Sequence, residues 1–74
     1  MTVHELCEYL KSFPADMRVL TLGYEGGLND ISLGIDSVVF GAKGNEAWYY
    51  GPHEYASYVD GQVGTKCVII GRDK

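Results

Sequence analysis

Basic residues, cysteines and prolines are all scarce in this chain of 74 residues. Only six lysines and arginines stand against ten aspartates and glutamates, which leaves a formal net charge of −4. The basic residues are scattered singly, so the sequence has no basic patch that would bind nucleic-acid phosphates directly. No apolar run approaches the roughly 18 residues of a membrane-spanning helix. We therefore expect neither a nucleic acid nor a membrane among the partners.

The two cysteines, Cys7 and Cys67, lie far apart in the sequence and each sits in an apolar run. They lack CxxC spacing, and the N-terminal residues carry Glu5 and Glu8 where a signal peptide would have an apolar core. Because a disulfide needs an oxidising compartment, we expect both cysteines to be free, buried thiols of a cytoplasmic protein.

A chain of this length predicts a single domain, residues 1–74, that buries only about 60% of its unfolded surface. Nine aromatic residues can supply much of the core, and the apolar share of 46% is that of a globular protein. Small domains often gain further burial by association, so a homodimer is an expected form.

The N-terminal stretch predicts one helix over residues 3–12. Thr2 and Glu5 have the spacing of a capping box, in which each side chain bonds the backbone N–H of the other residue. Pro14 disfavours helical geometry at the residue before it and ends the helix. An apolar stripe recurs at helical spacing, formed by Val3, Leu6, Cys7, Leu10 and Phe13.

The rest of the chain alternates strand patterns with turns. Strands are predicted over 18–22, over 31–40 with a bulge near Asp36, over 47–50 and over 66–70. Pro52 suits a first helical position, which predicts a short helical turn from His53 to Tyr58. The predicted fold class is α+β, with one N-terminal helix packed on an antiparallel sheet of about four strands.

The segment from Gly23 to Asp30 is rich in glycine and lies between two predicted strands. Glycine adopts backbone angles that other residues reach only with strain, so this segment predicts either a turn or a loop that projects Tyr24 and Glu25. It lacks the glycine spacing of a phosphate-binding loop. Its carboxylates are too few for a calcium or magnesium site, so we predict no metal and no cofactor.

A second group of aromatic and polar residues follows at 49–58, and we expect it to join the glycine-rich segment in one recognition surface. Tyrosine offers broad contact area with a polar tip and is enriched at interfaces. No catalytic residues are predicted. The predicted binding residues are Tyr24, Glu25, Gly26, Gly27, Asn29, Asp30, Tyr49, Tyr50, His53 and Glu54.

The first half of the chain resembles a group of small uncharacterised proteins of bacteriophages and prophages. The resemblance runs from Thr2 to Ile31. It rests on Thr2-Val3-His4-Glu5-Leu6, Leu10, Phe13-Pro14, Asp16 and Val19 and on the G-Y-E-x-G loop at Gly23–Gly27 with Asn29-Asp30-Ile31. It implies a small accessory protein of a mobile element that acts in the host cytoplasm. It assigns no active-site residue.

Several functions stay open. The acidic, aromatic character favours a non-catalytic protein that binds another protein. The resemblance to phage proteins implies a host protein as that partner, with inhibition of a host defence protein as the expected role. The alternatives are a sponge that sequesters a small nucleotide signal, a structural or accessory subunit of a phage assembly, and a small hydrolase that depends on His53.

Overall fold

The structure is a computed structural model that describes residues 1–44 and 49–73. Its elements, in chain order, are helix α1 (Val3–Leu10), strands β1 (Leu20–Leu22), β2 (Leu28–Val39) and β3 (Glu54–Tyr55), a 3-10 helix (Ala56–Tyr58) and strand β4 (Thr65–Arg72). One helix thus precedes an antiparallel sheet of four strands, which confirms the predicted α+β class.

Strand β2 is the common member of the sheet, because each of the other three strands pairs with it. Its first residues pair with β1, with Leu22 opposite Leu28. Its last residues pair with β3, where Val38 stands opposite Tyr55. The chain divides into two compact units, one formed by Met1–Ser32 with Ile70–Lys74 and one by Leu33–Ile69, so β2 and β4 each contribute residues to both.

Helix α1 begins with the predicted capping box. The Thr2 hydroxyl accepts a hydrogen bond from the Glu5 backbone N–H (3.1 Å), and the Glu5 carboxylate accepts one from the Thr2 backbone N–H (2.9 Å). The helix ends at Leu10, two residues earlier than predicted. Its apolar stripe is mostly exposed, with Leu6 alone half-buried.

The prediction of two buried thiols is wrong for Cys7. Both cysteines are free, but Cys7 is exposed and Cys67 is half-buried. A helix turns once in about 3.6 residues, so Cys7 points roughly 100° away from the half-buried Leu6. The Cys67 thiol lies 3.4 Å from the Thr65 carbonyl oxygen and donates a weak hydrogen bond to it.

The third predicted strand is not formed by its described residues. Tyr49 and Tyr50 lie in a turn, and β2 pairs instead with Glu54–Tyr55. The other two residues of that prediction, Ala47 and Trp48, lie outside the described residues, as does the end of the preceding turn at 45–46. The helical turn predicted from His53 forms only over Ala56–Tyr58, because the two residues before it extend to pair with β2.

The other predicted strands exist with shifted ends. β1 is shorter than predicted, β2 begins three residues earlier, and β4 extends from Thr65 to Arg72. In β4, half-buried and exposed residues alternate, so the prediction that this strand is covered on both faces is wrong.

The core of the second unit centres on Val38, the one buried side chain among residues 1–44 and 49–73, which keeps 8% of its surface exposed. Gly64 approaches it so closely that a Cβ there would lie 2.7 Å from the Val38 nitrogen and 2.8 Å from the Ala56 Cβ. In the described part of the chain, no helix has both the length and the hydrophobicity needed to cross a membrane.

Gly23→Ala should destabilise the protein by about 1–3 kcal/mol, the usual range for a substitution that forces a backbone clash. A Cβ at this position would lie 2.2 Å from the Gly26 carbonyl oxygen. Gly34→Ala is the matched control, since a Cβ there meets nothing within 4 Å. Urea denaturation measures both variants, and equal midpoints would contradict the close approach at Gly23.

Acid should weaken the start of helix α1. The hydrogen bond from the Thr2 backbone N–H, and then the one involving its side chain, lowers the pKa of Glu5 below its ordinary value of 4.5. A carboxyl group with a lowered pKa stabilises the fold above its unfolded pKa, and this contribution is lost as the pH falls through the folded pKa.

The test is the helical circular dichroism signal followed from pH 7 to pH 3 in the wild type and in Glu5→Gln. Glutamine keeps a capping acceptor but does not titrate, so this variant should lose the acid-dependent component. Identical pH profiles of the two proteins would contradict the assignment of the acid-dependent helix loss to Glu5.

Candidate binding surfaces

The loop that joins β1 to β2 is a closed five-residue turn. The Gly23 backbone N–H donates to the Gly27 carbonyl oxygen at 3.0 Å. Gly26 (φ 136°) and Gly27 (φ 66°) adopt left-handed angles that favour glycine, and Gly23 is required by its contact with Gly26. This five-residue turn therefore uses all three of its glycines.

The tip of this hairpin exposes apolar and acidic side chains. Tyr24 is 81% exposed, and Leu22 and Leu28, which stand opposite each other and so project from the same face, are also exposed. No hydrogen bond or ion pair joins the Glu25 carboxylate to any described residue. We call Leu22, Tyr24, Glu25 and Leu28 the hairpin tip.

Tyr24 has a cationic neighbour within its own unit. The Arg72 guanidinium carbon lies 5.5 Å from the centre of the Tyr24 ring, within the range of a cation–π contact. Sequence reasoning missed Arg72, because it placed this residue in a polar tail. The near-continuous apolar run before it was the available sign that the strand would extend this far.

Asn29 and Asp30 bond to their own chain. The Asn29 side-chain amide donates to the Asp73 carbonyl oxygen at 3.2 Å, and the Asp73 backbone N–H donates to the Asp30 carbonyl oxygen at 2.8 Å. The Asp30 carboxylate forms an ion pair with Arg18. Both side chains are thus engaged in holding strand ends together, although an exposed ion pair contributes little to stability.

Glu54 faces inward in the second unit, with its side chain only 11% exposed. One carboxylate oxygen accepts from the Tyr50 hydroxyl (3.3 Å) and lies 3.9 Å from the Lys43 ammonium. The other accepts from the Tyr55 backbone N–H (2.9 Å). The Lys43 ammonium also lies 5.6 Å from the centre of the Tyr50 ring. These contacts tie Tyr50 and Glu54 to Lys43 in the turn after β2.

His53 is engaged by the backbone. Its Nδ1 accepts a hydrogen bond from the Gly41 N–H at 2.9 Å, and its ring meets Phe40 edge to face with 5.2 Å between ring centres. A neutral imidazole with Nδ1 as acceptor carries its proton on Nε2. With Nδ1 engaged by the backbone, His53 presents its Nε2–H as a hydrogen-bond donor.

The predicted residues fall into two sets in different units. Tyr24, Glu25, Gly26, Gly27, Asn29 and Asp30 belong to the first unit, and Tyr49, Tyr50, His53 and Glu54 belong to the second. That the two sets form one recognition surface stays a prediction. Within the described ranges, no three His, Cys, Asp or Glu side chains are grouped so that they would hold a metal ion.

Comparison of the chain with protein-family models, with curated proteins and with solved structures finds no match. The resemblance to small bacteriophage proteins therefore stays a prediction. The function is inferred from the exposure and contacts of the side chains described above.

A comparison of Glu54→Ala with Glu25→Ala should distinguish a carboxylate that stabilises the fold from one that does not. Removing Glu54 removes the acceptor of the Tyr50 hydroxyl and of the Tyr55 N–H, so we expect a loss of about 0.5–1.5 kcal/mol, the net contribution of an ordinary hydrogen bond. Glu25 lies at an exposed tip, where substitutions usually change stability by less than about 0.5 kcal/mol. Chemical denaturation checks both values, and equal effects would contradict this division.

Proposed function

We propose that this chain is a small, acidic, non-catalytic binding protein that occupies the surface of a partner protein through its hairpin tip. The observation that carries the proposal is the exposure of Tyr24, Leu22 and Leu28 around a turn whose backbone is closed by its own hydrogen bond. Large side chains on a preformed loop give binding energy without the cost of ordering the loop.

The side chains of the hairpin tip indicate what kind of partner surface it would bind. Tyrosines often carry much of the binding energy when they enter a well-packed pocket. Glu25 adds a negative charge beside Tyr24, and the whole chain carries a net charge of −4. The complementary surface is an apolar pocket for Tyr24 bordered by basic side chains, because opposite charges speed encounter and select partners.

The identity of the partner belongs to the proposal as well. A host defence protein as target, the host cytoplasm as the compartment and a mobile element as the origin rest on the resemblance of residues 2–31 alone. The hairpin tip supports a protein target of that kind only through its shape and charge.

A small nucleotide is the second candidate ligand, and the contact of Arg72 with Tyr24 favours it. A tyrosine ring stacks on a base, and a guanidinium pairs with phosphate oxygens, so the two together offer both halves of a nucleotide site. Glu25 opposes this reading, because its carboxylate would repel the phosphates. The balance of charge at the tip therefore favours the protein target.

Tyr24→Ala and Glu25→Lys should each reduce partner recovery at least tenfold, an effect in the range of interface hot spots. The tagged protein is incubated with a host-cell lysate, and the bound proteins are quantified by mass spectrometry. Tyr58→Ala is the matched control, since Tyr58 is also an exposed tyrosine with one ring contact.

All three variants should keep the wild-type melting temperature within a few degrees, because each changes an exposed side chain. Equal recovery by every variant would show that the hairpin is only a turn. A nucleotide extracted from the wild type, and lost in Tyr24→Ala and in Arg72→Gln, would establish the second candidate in place of the first.

A further inference from the structure

We propose that the Arg72 guanidinium is a binding group beside the hairpin tip and donates hydrogen bonds to a carboxylate of the partner protein. This inference rests on the proposed function, because it names a second contact that the same partner makes. Arg72 lies in the same unit as the four residues of the hairpin tip. It adds a positive charge to a surface that otherwise offers apolar side chains and one carboxylate.

Arg72 differs from the other described basic side chains of its unit in having no carboxylate partner. The Lys11 ammonium lies 2.9 Å from a Glu8 carboxylate oxygen, and Arg18 forms an ion pair with Asp30. The Arg72 guanidinium has no ion pair and no hydrogen bond with any residue of 1–44 or 49–73. Its five N–H donors are thus unused within the described part of the chain.

Three hydrogen bonds fix the backbone at Arg72. Its carbonyl oxygen accepts from the Ser32 hydroxyl at 3.4 Å. In the next residue, Asp73, the N–H donates to the Asp30 carbonyl oxygen at 2.8 Å. The Asp73 carbonyl oxygen accepts from the Asn29 side-chain amide at 3.2 Å. The guanidinium therefore extends from an ordered strand end, so less conformational freedom is lost when a partner binds it.

Tyr24 contacts the guanidinium without using its hydrogen-bond donors. The guanidinium carbon lies 5.5 Å from the centre of the Tyr24 ring, so the cation interacts with the π-system of the ring. The N–H groups lie in the plane of the guanidinium, where two parallel hydrogen bonds to a carboxylate form. Because both residues are exposed, a carboxylate of a partner can reach these donors.

The charge at this position fits a carboxylate better than a phosphate. One guanidinium neutralises the single charge of a carboxylate, and the two planar groups match in shape. A phosphate group on a side chain carries about −1.5 to −2 charges near neutral pH, whereas Arg72 is the one unpaired basic side chain among the described residues of this unit. Glu25 follows Tyr24 in the chain, and its negative charge repels the more highly charged group more strongly.

The partner surface that fits this arrangement carries charges of both signs. A basic side chain pairs with Glu25, an apolar pocket takes Tyr24, and an acidic side chain pairs with Arg72. A surface that is basic throughout would place a like charge against Arg72, and such a contact selects against the wrong partner.

Nuclear magnetic resonance of the arginine Nε–H groups tests the inference on the free protein. The chain has two arginines, so Arg18, whose guanidinium is already paired, serves as an internal control. The probe is acetate at about pH 6, where its carboxyl group is ionised, and sodium chloride of equal ionic strength controls for screening.

We expect acetate to shift the Arg72 Nε–H resonance at least roughly threefold more than that of Arg18, because the Asp30 carboxylate already occupies the Arg18 guanidinium. Equal shifts of the two resonances, or an Arg72 shift as large with chloride as with acetate, would overturn the inference. Inorganic phosphate is the second probe. A shift of Arg72 with phosphate but none with acetate would overturn the carboxylate assignment and support the nucleotide candidate.

Partner recovery from the host-cell lysate distinguishes this inference from the proposed function. Arg72→Gln should lower recovery about two- to fivefold, the size of an exposed charged contact. Arg72→Lys keeps the charge but loses the planar arrangement of donors, so it should restore part of the recovery. Arg18→Gln is the matched control and should keep wild-type recovery.

The outcomes for Tyr24→Ala and Arg72→Gln need not agree. Recovery that is lost in Tyr24→Ala but unchanged in Arg72→Gln would overturn the inference and leave the proposed function standing. Recovery that is unchanged in both variants would overturn both proposals.

Discussion

The pairing of every other strand with β2 is the constraint on which this structure depends. Backbone N–H and C=O groups must be satisfied, and a strand of twelve residues offers enough of them to serve three partners at different places along its length. Because β1 is only three residues long and β3 only two, neither would persist alone. The positions of the hairpin turn, of the 3-10 helix and of Gly64 all follow from where these short strands join β2.

Predictions from the sequence were correct where the local sequence pattern agrees with the way the strands pair in the structure. The capping box and Pro14 bounded helix α1 to within two residues, and the alternation of Ile31, Leu33 and Ile35 identified the centre of β2. It failed at Tyr49 and Tyr50, whose aromatic side chains have high strand propensity. Strand propensity mostly reflects fit to a neighbouring strand, and β2 finds that neighbour at Glu54–Tyr55 instead.

Three of the ten predicted binding residues, Asn29, Asp30 and His53, could not be recognised as structural from the sequence, because their contacts join residues distant along the chain. Asn29 bonds to Asp73, Asp30 to Arg18, and His53 to the backbone of Gly41. Polar side chains that the sequence suggests are free to bind a partner thus form contacts within the fold instead. Tyr24 and Glu25 keep their exposure because the glycine turn carries them away from the strands, and this property was visible in the sequence.

The small extent of burial links folding to association. A chain with one buried side chain among its described residues gains little from its own core. Because proteins are marginally stable, a few kcal/mol of burial decides whether such a chain folds. A partner that buried exposed apolar side chains such as Leu33 and Ile35 would make stability depend on the concentration of that partner. The hairpin tip is built differently, since its backbone geometry is fixed by local glycines and one hydrogen bond. A partner that covers the hairpin tip would therefore bind a preformed surface, and its binding free energy would add to the stability of the fold.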